Sequence, residues 1–183
     1  MKVSKKIIES RRESAIADQT AKLLVEQISH ELYNHSLYRT FANYFAVQGL
    51  DDLETYYIER AEEEIEHHRW IVDRLNYSHV KYKYPSVDPV DVEIKDNLDT
   101  FIQTLDKEIE TTELIYNIVN SAKNENDWET FNWLQATLVD EQTEEEHISR
   151  KYLRVAEQDD VDWLTKGDNI LSDYKASQED DSS

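Results

Sequence analysis

The 183-residue chain has no cysteine, two glycines, two prolines and a single methionine, Met1. Without cysteine there is no disulfide, no thiolate-bound zinc and no iron–sulfur cluster, and the redox compartment is left open. So few turn formers exclude a multi-stranded sheet. Hydrophobic residues make up 39% of the sequence, enough at this length for one domain with its own core. A single all-α domain is the expectation. No hydrophobic run approaches a membrane span, and residues 1–15 are basic with only short apolar pairs, unlike a secretory signal; a soluble cytoplasmic protein is expected. Basic residues are scarce too, 20 Lys and Arg against 40 Asp and Glu, for a formal charge of −20. Nucleic acid is therefore not an expected partner, because phosphate binding runs on excess Lys and Arg. Cations fit better. Most acidic runs are simply solvated faces, so what decides the matter is which acids point inward.

Hydrophobic periodicity predicts four long helices. The first covers about 18–45, with Leu24, Ile28, Tyr38, Ala42 and Phe45 on one stripe and Glu31 and His35 in its gaps. Gly49 closes it and Asp51 or Asp52 caps the next, so the first two helices are antiparallel. The second runs to about 77, its stripe of Leu53, Tyr57, Ile71 and Leu75 also taking Glu64 and His67. Residues 78–96 hold both prolines and no helical period. At roughly 3.3 Å per residue such a link spans a bundle of roughly 40 Å helices, which makes the second and third helices parallel, as in long-crossover four-helix bundles. The third helix, about 98–122, presents Leu98, Phe101, Leu105, Thr112, Ile115 and Val119, with Glu108 in the missing slot. The fourth, about 128–156, presents Phe131, Leu134, Leu138, Glu141, Glu145, Ile148, Tyr152 and Val155. A shorter amphipathic segment, about 161–174, precedes a polar acidic tail, 175–183, read as disordered.

Each of the four helices thus carries a carboxylate where an apolar residue belongs. Several unpaired anions in a core would be too costly and would protonate, so something positive is required among them. Arg60 and Lys107 lie toward the edges of their stripes, and a metal is the simpler answer. Glu64 and His67, at i and i+3, project from adjacent turns of one face and can hold one ion or bridge two. Glu-x-x-His alone is common; it gains meaning from the other inward acids. Oxygen-rich ligation with one imidazole suits iron or manganese better than zinc or copper.

Four motifs then come into register: Glu31-Leu32-Tyr33 with Tyr38; Arg60-Ala61-Glu62-Glu63-Glu64 with His67; Glu108 with Thr112; and Asp140-Glu141-Gln142 with Glu144-Glu145-Glu146. Together they resemble the non-haem bacterial-type ferritins over about residues 24–174. The resemblance implies a ferritin-like domain over 18–174 behind an N-terminal extension, 1–17. It implies a di-iron ferroxidase centre without haem, with Glu31, Glu64 and His67 at one iron, Glu64 bridging, Glu108 and Glu145 at the second, and Gln142 close by. Glu63, Glu141 and Glu144 would match a weaker third iron site, and Tyr38 the tyrosine beside the centre. It further implies oxidation of Fe(II) by dioxygen or peroxide, and self-association into a homo-oligomeric shell that stores ferric mineral, with 161–174 as the short fifth helix.

Glu144-Glu145-Glu146-His147 offers a second Glu-x-x-His, the bacterioferritin and di-iron oxidase pattern. At about 100° per residue, Glu145 lies near the stripe centre, Glu141 on its flank, Gln142 at the opposite edge and His147 nearly opposite, which makes His147 a surface residue. Ile65 stands where bacterioferritins place their haem-ligating methionine, and the absence of cysteine removes the rubredoxin module of rubrerythrins. Three departures from the ferritin pattern remain. His35 replaces a small residue and can pack over the site, relay protons or add a ligand, or equally be a satisfied core histidine. Thr137 stands where a tryptophan is common. The step from Glu108 to Gln142 is one residue longer than usual, placing an insertion in the turn before the fourth helix or early within it. Two other classes stay open, a di-iron oxidase or oxygenase acting on an organic substrate, and a ferritin-like structural protein without the chemistry.

Overall fold

Leu24, Ile28, Leu37, Phe41 and Phe45 recur at helical intervals, and α1 (Asp18–Gln48) buries all five. The structure, a computed structural model, describes residues 15–181. Gly49 ends α1 at φ 74°, with its N–H on the Ala46 carbonyl and that of Leu50 on Phe45, both at 3.1 Å. A β-carbon there would be strained, so glycine lets the chain reverse at once into α2 (Asp51–Tyr77). Asp96 caps α3 (Asn97–Asn124) by accepting the Asp99 N–H at 2.8 Å, and Asp127 does the same for Thr130 at 3.1 Å. The fourth bundle helix, α4, is built of three pieces, Trp128–Leu134, a π-helical Gln135–Val139 and Asp140–Ala156.

Contacts between helices set their directions. Tyr57 meets Thr100 and Thr104, and Arg60 further along meets Glu108, so α2 and α3 run parallel. Arg60 meets Glu145 while Arg74 meets Thr130, so α2 and α4 are antiparallel. The link 78–96 has no regular structure and travels the bundle's length, packing Val80 and Tyr82 against one end of the core and Val90, Val92 and Ile94 against the other. The result is a four-helix bundle with a long crossover. Among the described residues no helix is long and apolar enough to cross a membrane.

The core falls into two halves. One is aromatic, built on Tyr38, Phe41, Phe45, Tyr57, Phe101 and Tyr152, with Phe45 stacked on Tyr57 at 5.5 Å. The other is aliphatic, built on Leu24, Ile28, Ile71, Leu75, Ile115, Ile118, Leu134 and Leu138. The last residues of the expected N-terminal extension dock here: Ile16 is buried in the aliphatic half, and the Ala15 N–H reaches the Ser78 carbonyl at 3.0 Å. The rest of that extension, 1–14, lies outside the described residues. On α3, Thr104 and Thr111 are buried and Leu105 and Thr112 only half-buried, a rotation from the expected stripe. The reason is polar: both buried hydroxyls face partners on other helices, Thr104 facing Tyr57 and Thr111 facing His30 and Asn34.

The fifth helix, α5 (Trp163–Asp181), lies along α2, with Tyr174 edge-on to Tyr56 at 5.4 Å. Close approach is possible because Gly167 sits over Leu53; a β-carbon at Gly167 would come within 3.2 Å of Leu53 Cγ. This helix passes the expected end at Tyr174, so the segment read as a disordered tail is helical as far as Asp181. Residues 182–183 lie outside the described residues.

The π segment accounts for the extra residue between Glu108 and Gln142. Thr130, Leu134, Leu138 and Gln142 are all buried, at intervals of four. In an unbroken α-helix each such step overshoots a turn by about 40°, so three would drift about 120° off the core. A π turn absorbs one extra residue and brings the later residues back inward. Deleting the exposed Ala136 should therefore convert the segment to α-helix and leave the melting temperature within a few degrees of the parent. Deleting Arg150, in regular α-helix, should rotate Tyr152 and Ala156 out of the core and cost about 3 kcal/mol or more. Thermal unfolding followed by circular dichroism checks both; equal damage from the two deletions would contradict the insertion.

Candidate metal centre

Between the two apolar halves lies a belt of buried polar side chains, each helix supplying residues one turn apart on a single face. Gln27, Glu31, Asn34 and Tyr38 come from α1, Arg60, Glu64 and His67 from α2, Glu108 and Thr111 from α3, and Gln142 and Glu145 from α4. Two groups of potential ligand atoms lie within 4.8 Å of one another, Glu31 with Glu64 and His67, and His67 with Glu141 and Glu145. His67 joins the two groups, its Nδ1 3.7 Å from Glu64 Oε2 and its Nε2 3.9 Å from Glu141 Oε1 and 4.0 Å from Glu145 Oε1.

Compensation of the buried anions is uneven. Glu31 Oε2 and both oxygens of Glu64 are buried without a hydrogen bond, while Gln27 donates to Glu31 Oε1 at 2.8 Å. Unpartnered buried carboxylate oxygens are rare because desolvating them is costly; converging with an imidazole, they form a ready cradle for a hard cation. Glu108 is by contrast saturated. Tyr38 donates a short hydrogen bond to its Oε1, Gln142 Nε2 donates to Oε2 at 2.9 Å, and Arg60 Nη2 donates to Oε1 at 2.7 Å. Arg60 Nη1 also donates to Glu145 Oε1 at 2.9 Å and to Glu63 Oε2 at 2.7 Å. The expectation that Arg60 sits at a stripe edge is thus overturned. It is 1% exposed, its guanidinium over the Tyr38 ring at 5.6 Å, drawn inward by the acids.

Ionisation follows these environments. Burial, reinforced by the neighbouring Glu64 charge, raises Glu31 to about 8. Burial raises Glu64 to about 7 against the pull of His67. Burial also lifts Glu145 to about 8, although Arg60 acts to lower it. Burial opposes the Glu108 anion as well, yet the Arg60 charge and the bonds from Tyr38, Gln142 and Arg60 outweigh it and hold Glu108 below the usual carboxylate range. Desolvation works against His67 as a cation, but the surrounding acids, Glu145 first, hold it well above its ordinary value.

Glu31, Glu64, His67, Glu108, Gln142 and Glu145 are therefore brought together, with Tyr38 on Glu108. The three residues proposed for a weaker third site have different surroundings. Glu63 is bound by Arg60, Tyr174 and Gln178, Glu141 is half-buried beside His67, and Glu144 belongs to neither group of ligand atoms. His35 Nδ1 donates to the Ala61 carbonyl at 2.9 Å, tying α1 to the α2 backbone. His147 is exposed. Gln27 had a readable signal, lying one turn before an inward acid on its own helix. The His30 contact to the Thr111 hydroxyl at 2.7 Å had none.

The architecture is a helix bundle whose core holds a carboxylate and imidazole cluster suited to a hard cation. Residues 21–158 match the family model for the ferritin-like domain, and the chain belongs to the ferritin family. A bacterial non-heme ferritin of Staphylococcus epidermidis is 30% identical over 152 residues, 82% of this chain and 86% of that protein. One of Campylobacter jejuni is 30% identical over 135 residues, 74% of this chain and 80% of that protein. Among solved structures, an open pore ferritin of the hyperthermophilic archaeon Archaeoglobus fulgidus superposes with a TM-score of 0.78 at 27% identity, covering 85% of this chain and 98% of that one.

The raised carboxyls fix the sign of pH effects. Their neutral forms favour the metal-free fold at low pH, and that contribution is lost as pH rises from the ordinary carboxylate range through about 7 and 8. A cation needs the anions, so Co(II) binding to the metal-free protein near neutral pH should release protons, with affinity rising until about pH 8. Calorimetry in two buffers of different ionisation enthalpy measures this; identical heats in both would contradict it.

Proposed function

We propose that this chain stores iron, oxidising Fe(II) at the buried centre and holding the ferric product within a shell of its own copies. The observation that carries the reading is the cradle of unpartnered oxygens on Glu31 and Glu64 beside His67, in a chain of the ferritin family. Two ferrous ions are the substrate, bound among Glu31, Glu64, His67, Glu108 and Glu145. Each gives one electron to dioxygen, which takes up two protons and leaves as hydrogen peroxide. Carboxylates favour this because hard oxygen donors stabilise ferric over ferrous iron and shift between bridging and chelating modes as charge rises.

The chain's other belt residues orient and tune these ligands. Gln27 fixes one oxygen of Glu31, and Gln142 and Tyr38 hold Glu108 from two sides. Self-association is supported by the likeness to archaeal ferritins whose open pore and closed forms have been described. The acidic surface favours cation capture.

An organic-substrate oxidase would need a pocket reaching the metals. A cavity of about 330 Å³ between α3 and α4 has Gln142 in its wall, with Thr112, Glu146 and Arg150, but none of Glu31, Glu64 or His67. This cavity meets the centre at Gln142, on the Glu108 side, and not at the cradle of Glu31 and Glu64.

Metal-free protein loaded in air with Fe(II), in large excess over what its ligands can hold, should carry that iron through gel filtration in a shell-sized particle. Precipitation of the surplus beside a small oligomer retaining only a few ions would overturn storage. Glu64→Gln should reduce the initial oxidation rate by about 100-fold or more, on the scale of lost metal ligands and their supports, while circular dichroism still shows a folded helical protein.

A further inference from the structure

The belt contains one permanent cation, and its placement is specific. Arg60 holds Glu145 and Glu108 at 2.9 and 2.7 Å through different nitrogens of one guanidinium. These are the acids of α3 and α4, whereas among the four carboxylates of the belt the unpartnered oxygens lie on α1 and α2, at Glu31 and Glu64. Of the two groups of ligand atoms, only the one with Glu141 and Glu145 contains a carboxylate already bonded by Arg60. Glu108 enters neither group. A guanidinium cannot be discharged in a protein, so a divalent ion entering on the Glu145 side meets a fixed positive charge hydrogen-bonded to its intended ligand. Charge-assisted bonds of this kind in a low-dielectric interior are among the strongest a side chain makes.

We propose that Arg60 is a resident cation in the second half of the centre, which divides the site into two unequal positions. The first, formed by Glu31, Glu64 and His67, takes a divalent ion directly. The second, on Glu145 and Glu108, takes one only when the guanidinium is displaced from those acids. Glu63 provides for that displacement: its side chain is 21% exposed and already accepts from Arg60 Nη1 at 2.7 Å, so the arginine keeps a partner when it lets go of the other two. Arg60 is thus a positioning residue that sets metal stoichiometry and the order of filling. The inference rests on the metal-centre reading proposed above.

Titration of the metal-free full-length protein with Co(II), read by calorimetry and by the visible absorption of the bound ion, tests it. The wild type should bind one Co(II) per chain, with a second at least about tenfold weaker. Arg60→Gln should bind two with affinities within about tenfold of each other, and Arg60→Lys, which keeps the charge, should retain the wild-type gap. If Arg60→Gln does not fold without metal, Glu108→Gln/Glu145→Gln serves instead: it removes the second position, and the first Co(II) should bind with its wild-type affinity. Two ions of equal affinity in the wild type, one ion in both Arg60 variants, or loss of the first ion in the double variant would overturn the role of Arg60. No Co(II) bound by any of these proteins would instead sink the metal-centre reading itself.

Discussion

Four carboxylates, Glu31, Glu64, Glu108 and Glu145, are buried at mid-bundle with one arginine and one histidine to answer them, and this shortfall of positive charge governs the rest. An unpaired buried charge costs several kcal/mol, a large part of the roughly 5–15 kcal/mol that holds a domain together. The fold tolerates the belt because it is flanked on both sides by dense apolar packing, one half stacked aromatic rings and the other interdigitated aliphatics. Within the belt the shortfall is not shared evenly. Arg60, Tyr38 and Gln142 satisfy Glu108 so fully that it stays ionised, while Glu31 and Glu64 keep bare oxygens and hold their protons to near-neutral pH. A cation is most strongly demanded where hydrogen bonding stops.

Much of this was legible in the residues because a core position occupied by Glu violates a strong rule. Glu31, Glu64, Glu108 and Glu145 announced themselves against the apolar period of their helices, and His67 did so by its three-residue step from Glu64. Arg60 was not legible for a physical reason: a long side chain on a stripe edge can reach water along its own stem, and only the three acids converging on it turn it inward. The contacts of Glu63 were legible only in part: Arg60 shares its motif, but Tyr174 and Gln178 of α5 stand in none.

The fourth helix shows where uniform periodicity misleads. Counted at 100° per residue, Gln142 falls at the far edge of the stripe, yet it is 4% exposed and bonded to Glu108 through both its backbone carbonyl and its carboxylate. The π segment supplies the missing rotation. In the sequence this insertion was visible only indirectly, as the one extra residue between Glu108 and Gln142.

Arg60 also ties the centre to the periphery. A chain of hydrogen bonds runs from Tyr174 on α5 to Glu63 and Arg60 on α2, on to Glu108 on α3, and from there to Tyr38 on α1. Arg60 and Glu108 at its middle are held in their charged forms, and in a water-poor interior such bonds are costly to leave unmade. The guanidinium serves all three acids through its two terminal nitrogens and keeps an unpartnered Nε, so each of the three acids helps fix its position. Glu63 alone among the three faces outward and is also held by α5, which makes the fifth helix part of the electrostatic frame of the centre rather than an appendage on the bundle.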